Sequence, residues 1–369
     1  ADGNSVSLFA NVLGENILSG ALSGTYEAAS YRISNDIIVP DGNVVSFQPG
    51  TNLKFDGPYK FEVFGTLEAI GTENDSIVFE SYGNDYECHH CMDSCVQFAL
   101  EEGYGFTNGT AADWCETNPL DQYDCSNSCE YNRWQGITFY NANNETILEY
   151  VRISGAVGEL SESGGAMGLI NSDPIFNHVT IRNNTNYGFR GGGIFLLNSN
   201  PIFTNSDIIE NSVYGAFGGG GLWIQDSSPI FTNVNINDNY SVYDGGGMFI
   251  GGASSYPIFS DVNINNNFSG FMGGGAQVMS ANPTFNRVVF SGNTCSSSGS
   301  AIHLAFSGNS VLNHVTITKN SGGWTGPLLA NANTVIKNSI FWYNSYDLEE
   351  YYFGGTQPQF INCNVELNQ

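Results

Sequence analysis

The chain is short of positive charge. Ten Lys and Arg stand against 36 Asp and Glu in 369 residues, a formal net charge of −26. A nucleic-acid footprint needs a basic face, so that class of partner is excluded. An anionic polymer would need bound cations or a local basic patch. No run of about 18 apolar residues occurs, so no transmembrane segment is expected. Helical periodicity with caps is missing too, and the content of Gly, Asn and β-branched residues works against helix. Histidine is scarce, with five residues. His178 and His314 lie five repeats apart, and His303 sits inside a strand pattern that packs it. No Ser-His-Asp set, GxSxG elbow, phosphate loop or dinucleotide fingerprint is present. No charged, apolar leader precedes Ala1, so the sequence reads as a mature secreted product in an extracellular or cell-surface setting.

What the chain does have is a repeat. PIFNHVTIRNN starts at Pro174, PIFTNSDIIEN at Pro201, PIFTNVNINDN at Pro229, PIFSDVNINNN at Pro257 and PTFNRVVFSGN at Pro283, in steps of 27, 28, 28 and 26 residues. Weaker copies follow at Val311 and Thr334. Repeats of this length stack as a solenoid. Within the unit from Pro229, Val234 and Ile236 alternate with Asn233, Asn235 and Asn237, the period of a strand with one buried face. Asn184, Asn211, Asn239, Asn267, Asn293, Asn320 and Asn344 end the copies. Asn suits a left-handed bend, and stacked Asn side chains can bond one another as a ladder. A glycine cluster then opens a second apolar strand: GGGIFLL, GGGGLWI, GGGMFI and GGGAQVM. Glycine there predicts a tight bend or close backbone contact.

These repeats resemble those of the right-handed parallel β-helix superfamily. VVSFQPGTNLKF, FEVFGTLEAIGT, SIVFES and WQGITF are similar to the opening coils of secreted bacterial β-helix proteins. The GGG-apolar and IxxN elements are similar to repeats of polymorphic outer-membrane and adhesin-like proteins, with GGG where those have GGA. The resemblance implies an all-β, single-stranded right-handed parallel β-helix of about ten coils with a period of about 27 residues. Residues 1–30 are expected to cap its N-terminal end, residues 31–363 to form the coils, and residues 341–369 to make an irregular C-terminal end, with the natural chain continuing or a second copy covering it. The superfamily includes pectate-lyase-like enzymes as well as adhesins, so the fold does not choose an activity.

An insertion at residues 84–132 breaks the repeat and holds Cys88, Cys91, Cys95, Cys115, Cys125 and Cys129. In a secreted chain these predict disulfides of unassigned pairing; a zinc site using the CxxC pair and His89 or His90 is the rival. Cys295 and Cys363 are given no role.

Aligned repeats place chemistry-bearing residues in columns. Asp207, Glu210, Asp238 and Asp261 gather on one side within three coils, with Arg182 one coil away from Glu210. Such a set suits glycoside hydrolysis by paired carboxylates, a Ca2+ site, or a lyase in which a cation neutralises a uronate; ordinary solvated acidic positions are the alternative. Ahead of the glycine clusters lie Tyr187 and Phe189, Tyr214 and Phe217, Tyr240 and Tyr243, and Phe268 and Phe271, with Arg190 and Asp244 in the column just before the Gly run. Facing solvent, these rings would stack on sugars; facing inward, they are core. Two functions follow: a secreted, adhesin-like β-helix that binds polysaccharide without turnover, or a polysaccharide lyase or glycoside hydrolase, Ca2+-assisted or not. No cofactor is required by either.

Overall fold

The computed structural model describes residues 10–12, 15–82, 134–158, 164–306, 309–323, 326–330, 334–345 and 358–365. The six-cysteine insertion lies outside the described residues. Every described element is a β-strand. The glycine-led strands Met167–Ile170, Ile194–Leu197, Leu222–Gln225, Met248–Gly251, Ala276–Met279 and Ile302–Ala305 pair in parallel, each with its copy one coil on. The proline-led strands Ile175–Arg182, Ile202–Ile209 and Ile230–Asn237 pair likewise and continue through the later, shorter copies. Two-residue strands from Val157–Gly158 to Thr294–Cys295 close the coil on a third side. The chain is therefore an all-β parallel solenoid.

Coil formation begins inside the segment read as a cap. Glu15–Ala21 and Gly24–Tyr26 pair in parallel with the coil above them, while Ala10–Val12 pairs antiparallel with Glu15–Ala21. At the other end, Gln359–Ile361 and Asn364–Val365 add a further parallel rung.

Alternation aims one side chain in two at the core, where identical residues stack. The rings of Phe176, Phe203, Phe231, Phe259 and Phe285 form a column with centroids 4.3, 5.1, 5.0 and 5.0 Å apart. Burying each such ring contributes on the order of 2–3 kcal/mol. The asparagine ladder forms as the repeat predicts. Asn184 Nδ2 donates to Asn211 Oδ1 at 3.0 Å, and the same bond recurs through Asn239, Asn267, Asn293 and Asn320 to Asn344. Each of these amides also donates to a core-strand carbonyl, as Asn239 Nδ2 does to the Ile208 oxygen at 2.9 Å.

The left-handed bend falls one residue earlier than expected. Asn183, Glu210, Asp238 and Asn266 carry φ of 52, 56, 55 and 55°, and the ladder asparagines do not. The bend turns the chain so that the next side chain, the Asn, points inward.

The glycine clusters do two jobs. The first glycine of a cluster, such as Gly245 at φ 64°, makes the turn. The second has no room for a side chain: a Cβ on Gly246 would run into the Gly274 oxygen in the next coil. Cys295 is buried, and Cys363 is half-buried; neither is in a disulfide.

Candidate functional site

The acidic side is built from turn positions. Glu210 and Asp238 occupy successive rungs of the left-handed column just before the Asn ladder. Asp261 belongs to a second left-handed column, with His178, Asn205, Asn233, Arg287 and His314 at φ of 50–56°. Asp207 lies in mid-strand between Thr180 and Asn235. Short polar side chains tolerate the left-handed region because they bond locally, so the repeat's geometry accounts for several of these residue types without any chemistry.

Three of the four carboxylates bond to vertical neighbours. Arg182 Nη2 donates to Glu210 Oε2 at 2.9 Å. Asn235 Nδ2 donates to Asp207 Oδ1 at 2.7 Å. Arg287 grips Asp261 with two bonds of 2.7 Å, and that hydrogen bonding holds the Asp261 carboxyl below the usual range. Asp238 is exposed. The structure thus brings Arg182 to Glu210 but puts Asp261 on a different bend from Glu210 and Asp238. Among the described residues, no three His, Cys, Asp or Glu side chains converge to hold a metal ion.

The aromatic segment splits into two layers. Tyr187 and Tyr214, named as sugar-stacking candidates, are buried and stack at 5.5 Å; half-buried Tyr240 and Phe268 continue the stack into the next coils. The short strands impose this arrangement. Their register pairs Tyr240 with Ser212 rather than with Tyr214, so the tyrosines were not one column. The outer layer is different. Phe189, Phe217, Tyr243 and Phe271 are each 46–47% exposed, one ring in each of four successive coils. Phe189 and Phe217 lie 5.9 Å apart, and the Phe271 N–H donates to the Tyr243 carbonyl at 3.1 Å.

Beside this strip runs a column absent from the sequence reading. In each glycine-led strand the first and third apolar residues enter the core. The middle one, Phe195, Trp223, Phe249, Gln277 or His303, faces the other way. Phe195, Trp223 and Phe249 form a cluster separate from the core, with Trp223 and Phe249 stacked at 3.9 Å. All five are nonetheless buried, a covered floor layer on the outer side of the strands. A period-two count through GGGLWI, GGGMFI, GGGAQV and SAIHL would have found them.

The column just before the glycines overhangs this floor. Bridges join Arg190 to Gly218 and Gly218 to Asp244. The Arg190 guanidinium lies 5.2 Å from the ring centres of both Phe217 and Trp223. Asp244 accepts the Met272 N–H at 3.2 Å, one coil on. Burial pushes the Asp244 carboxyl up to about 6, against the opposing pull of the Met272 bond. Burial also pushes the His303 imidazole down to about 4. His303 Nδ1 and Gln277 Oε1 are 2.6 Å apart; since the amide oxygen only accepts, the neutral ring donates from Nδ1. Trp223 Nε1, Gln277 Nε2 and Arg190 Nε find no acceptor among the described residues.

A family model described as a right-handed β-helix region matches residues 125–285. No curated protein matches the chain. Among solved structures, the family 28 exopolygalacturonase of Yersinia enterocolitica is similar at 11% identity, over 92% of this chain and 71% of that one, with a TM-score of 0.32. Likeness at that level carries no argument about activity. The coil register runs on from the matched residues in both directions, and the fold is a right-handed parallel β-helix.

Proposed function

We propose that this protein is a secreted or cell-surface β-helix that binds an extended polysaccharide along the ring strip Phe189–Phe217–Tyr243–Phe271, without turning it over. The observation carrying this reading is one half-exposed ring per coil, in register over four coils. Rings held this way leave an apolar patch in water that monomeric proteins seldom keep without a partner. They also present flat apolar surface of the kind that packs on the C–H faces of sugars. The acidic side offers less, because Asp207, Glu210 and Asp261 are already engaged by Asn or Arg.

The test is retention of the protein on a panel of insoluble polysaccharides, run beside reducing-end and unsaturated-product assays with and without Ca2+. Retention on at least one polymer without product is expected. Retention on none would remove the reading. One observation favours a second reading, a lyase or hydrolase: the Asp244 carboxyl, near 6, is in the range where a group exchanges protons at neutral pH. Turnover that disappears in Asp244→Asn would establish it.

A further inference from the structure

In a chain with 36 Asp and Glu against ten Lys and Arg, a carboxylate is within easy reach of almost any arginine. Arg32, Arg152, Arg182 and Arg287 each pair with one, on Asp56, Glu80, Glu210 and Asp261. The Arg190 guanidinium has no such partner among the described residues. Two rings hold it instead, with 5.2 Å to the centres of Phe217 and Trp223. A ring face attracts the charge but does not take up the in-plane N–H donors as a carboxylate does. Arg190 Nε is buried without an acceptor, and Nη1 and Nη2 are not closed off in that way. The side chain is therefore fixed along its stem and open at its two outer nitrogens. Those donors lie at the first two rings of the strip: Arg190 follows Phe189, and the half-exposed Phe189 and Phe217 rings are 5.9 Å apart. Further along the same column the charge changes sign. Bridges lead from Arg190 through Gly218 to Asp244, two rungs or roughly 10 Å on.

We propose that Arg190, with Phe189 and Phe217, forms a subsite for one carboxylate-bearing sugar unit within an otherwise uncharged glycan. The proposal rests on the polysaccharide-binding reading and adds the charge pattern of the ligand. The two outer nitrogens of a guanidinium match the two oxygens of a planar carboxylate in a bidentate pair. The flanking rings cover the C–H faces of the same sugar. The acid belongs at this one unit. Asp244 repels a second carboxylate two rungs along, and the net charge of −26 opposes a polymer charged over its whole length.

The experiment is calorimetric titration of the whole protein with xylan, mannan and galactan oligosaccharides that each carry one glucuronic acid. Each is run beside its carboxyl-reduced form, which has a hydroxymethyl group in place of the carboxylate, and beside pentagalacturonate. Wild type is expected to bind at least one singly acidic probe about thirtyfold more tightly than its reduced form, the effect of a charge-assisted pair. Pentagalacturonate should bind less tightly than that probe. Arg190→Gln should lower the acidic probe to the level of its reduced form. Arg190→Lys keeps the charge without the fork and should keep only part of the preference. Near-UV circular dichroism checks each fold, and if Arg190→Gln fails to fold, Arg190→Lys and the reduced probes decide. Reduced forms that bind as well as the acidic ones, or an Arg190→Gln protein that keeps the preference, overturn the subsite and leave the strip standing. Tighter binding of pentagalacturonate than of every singly acidic probe also overturns it. No binding of any probe by wild type removes both.

Discussion

The acidic bends and the floor layer of the glycine-led strands are two regions of one coil stack, and they differ in how regularly they repeat. On the acidic side, most polar groups are matched along the stack, Asn233 to Asn205, Asn235 to Asp207, Asn263 to Asn235 and Arg287 to Asp261, while His178 Nδ1 and Asn265 Oδ1 have no partner among the described residues. The floor layer changes from Phe to Trp to Phe to Gln to His in successive coils, and Trp223 and Gln277 keep N–H groups without acceptors among the described residues. A repeat that pairs vertically satisfies most of its polar groups from within. Concentration of carboxylates is therefore the poorer guide to a site here.

The contrast can be attacked from its strongest side first. Asn239→Ala opens the self-paired stack, removing the acceptor of the Asn211 backbone N–H and one bond each from Asn211 Nδ2 and the Ile208 carbonyl. We expect a loss of about 4 kcal/mol in urea unfolding, from several buried groups left unpaired. A loss below about 1 kcal/mol would mean that the ladder is ornament.

Next come two titrating groups, Asp244 before the glycine turn and His303 in the floor layer. Asp244 holds its proton more tightly folded (about 6) than unfolded (3.8), so the folded state carries more protons between those values, and stability falls as pH rises from about 4 to about 6. Asp244→Asn removes that slope and is expected to stabilise the protein at pH 7 by up to about 3 kcal/mol. His303 works in reverse. Its folded value near 4 lies below the unfolded 6.5, so the unfolded state carries more protons, and stability rises with pH between about 4 and 6.5. His303→Leu should flatten that rise. Thermal unfolding from pH 4 to 7 reads both, and a wild-type profile in either variant would contradict the assignment.

The functional half of the comparison is expected to be smaller. Phe217→Ala with Phe271→Ala should cut polysaccharide retention about thirtyfold, some 2 kcal/mol. The triple change Asp207→Asn, Glu210→Gln and Asp238→Asn should leave it unchanged. The reverse result would return the site to the acidic side. The smallest effect belongs to the exposed Arg287–Asp261 pair. Arg287→Ala should leave Tm where it is, while the Asp261 carboxyl, followed by NMR, climbs back toward the ordinary range.

Much of this architecture is legible in sequence because stacking repeats it. The proline spacing, the IxxN ending and the GGG clusters each name a coil position, and the strands fall where alternation puts them. The misreadings have local causes. Asn was assigned the left-handed bend because Asn favours it, but Glu210 and Asp238 precede it there and take the bend themselves. Tyr240 was aligned with Tyr214 because the segment between Asn turn and glycines varies in length, and only the pairing of short strands fixes its register. The floor layer escaped because its first three residues are apolar and read as core. Whether a Trp or Gln nitrogen has an acceptor is a property of neighbours in other coils, and no single repeat contains it.

The asparagine stack has a direction. Each Nδ2 points to the following coil and each Oδ1 to the preceding one, without reversal from Asn184 to Asn344. Seven side-chain dipoles are thereby aligned head to tail along the axis, as peptide units are along an α-helix, and each polarises the next. The solenoid is electrically polar end to end: partially negative at the coils before Asn184 and partially positive where the stack closes at Asn344.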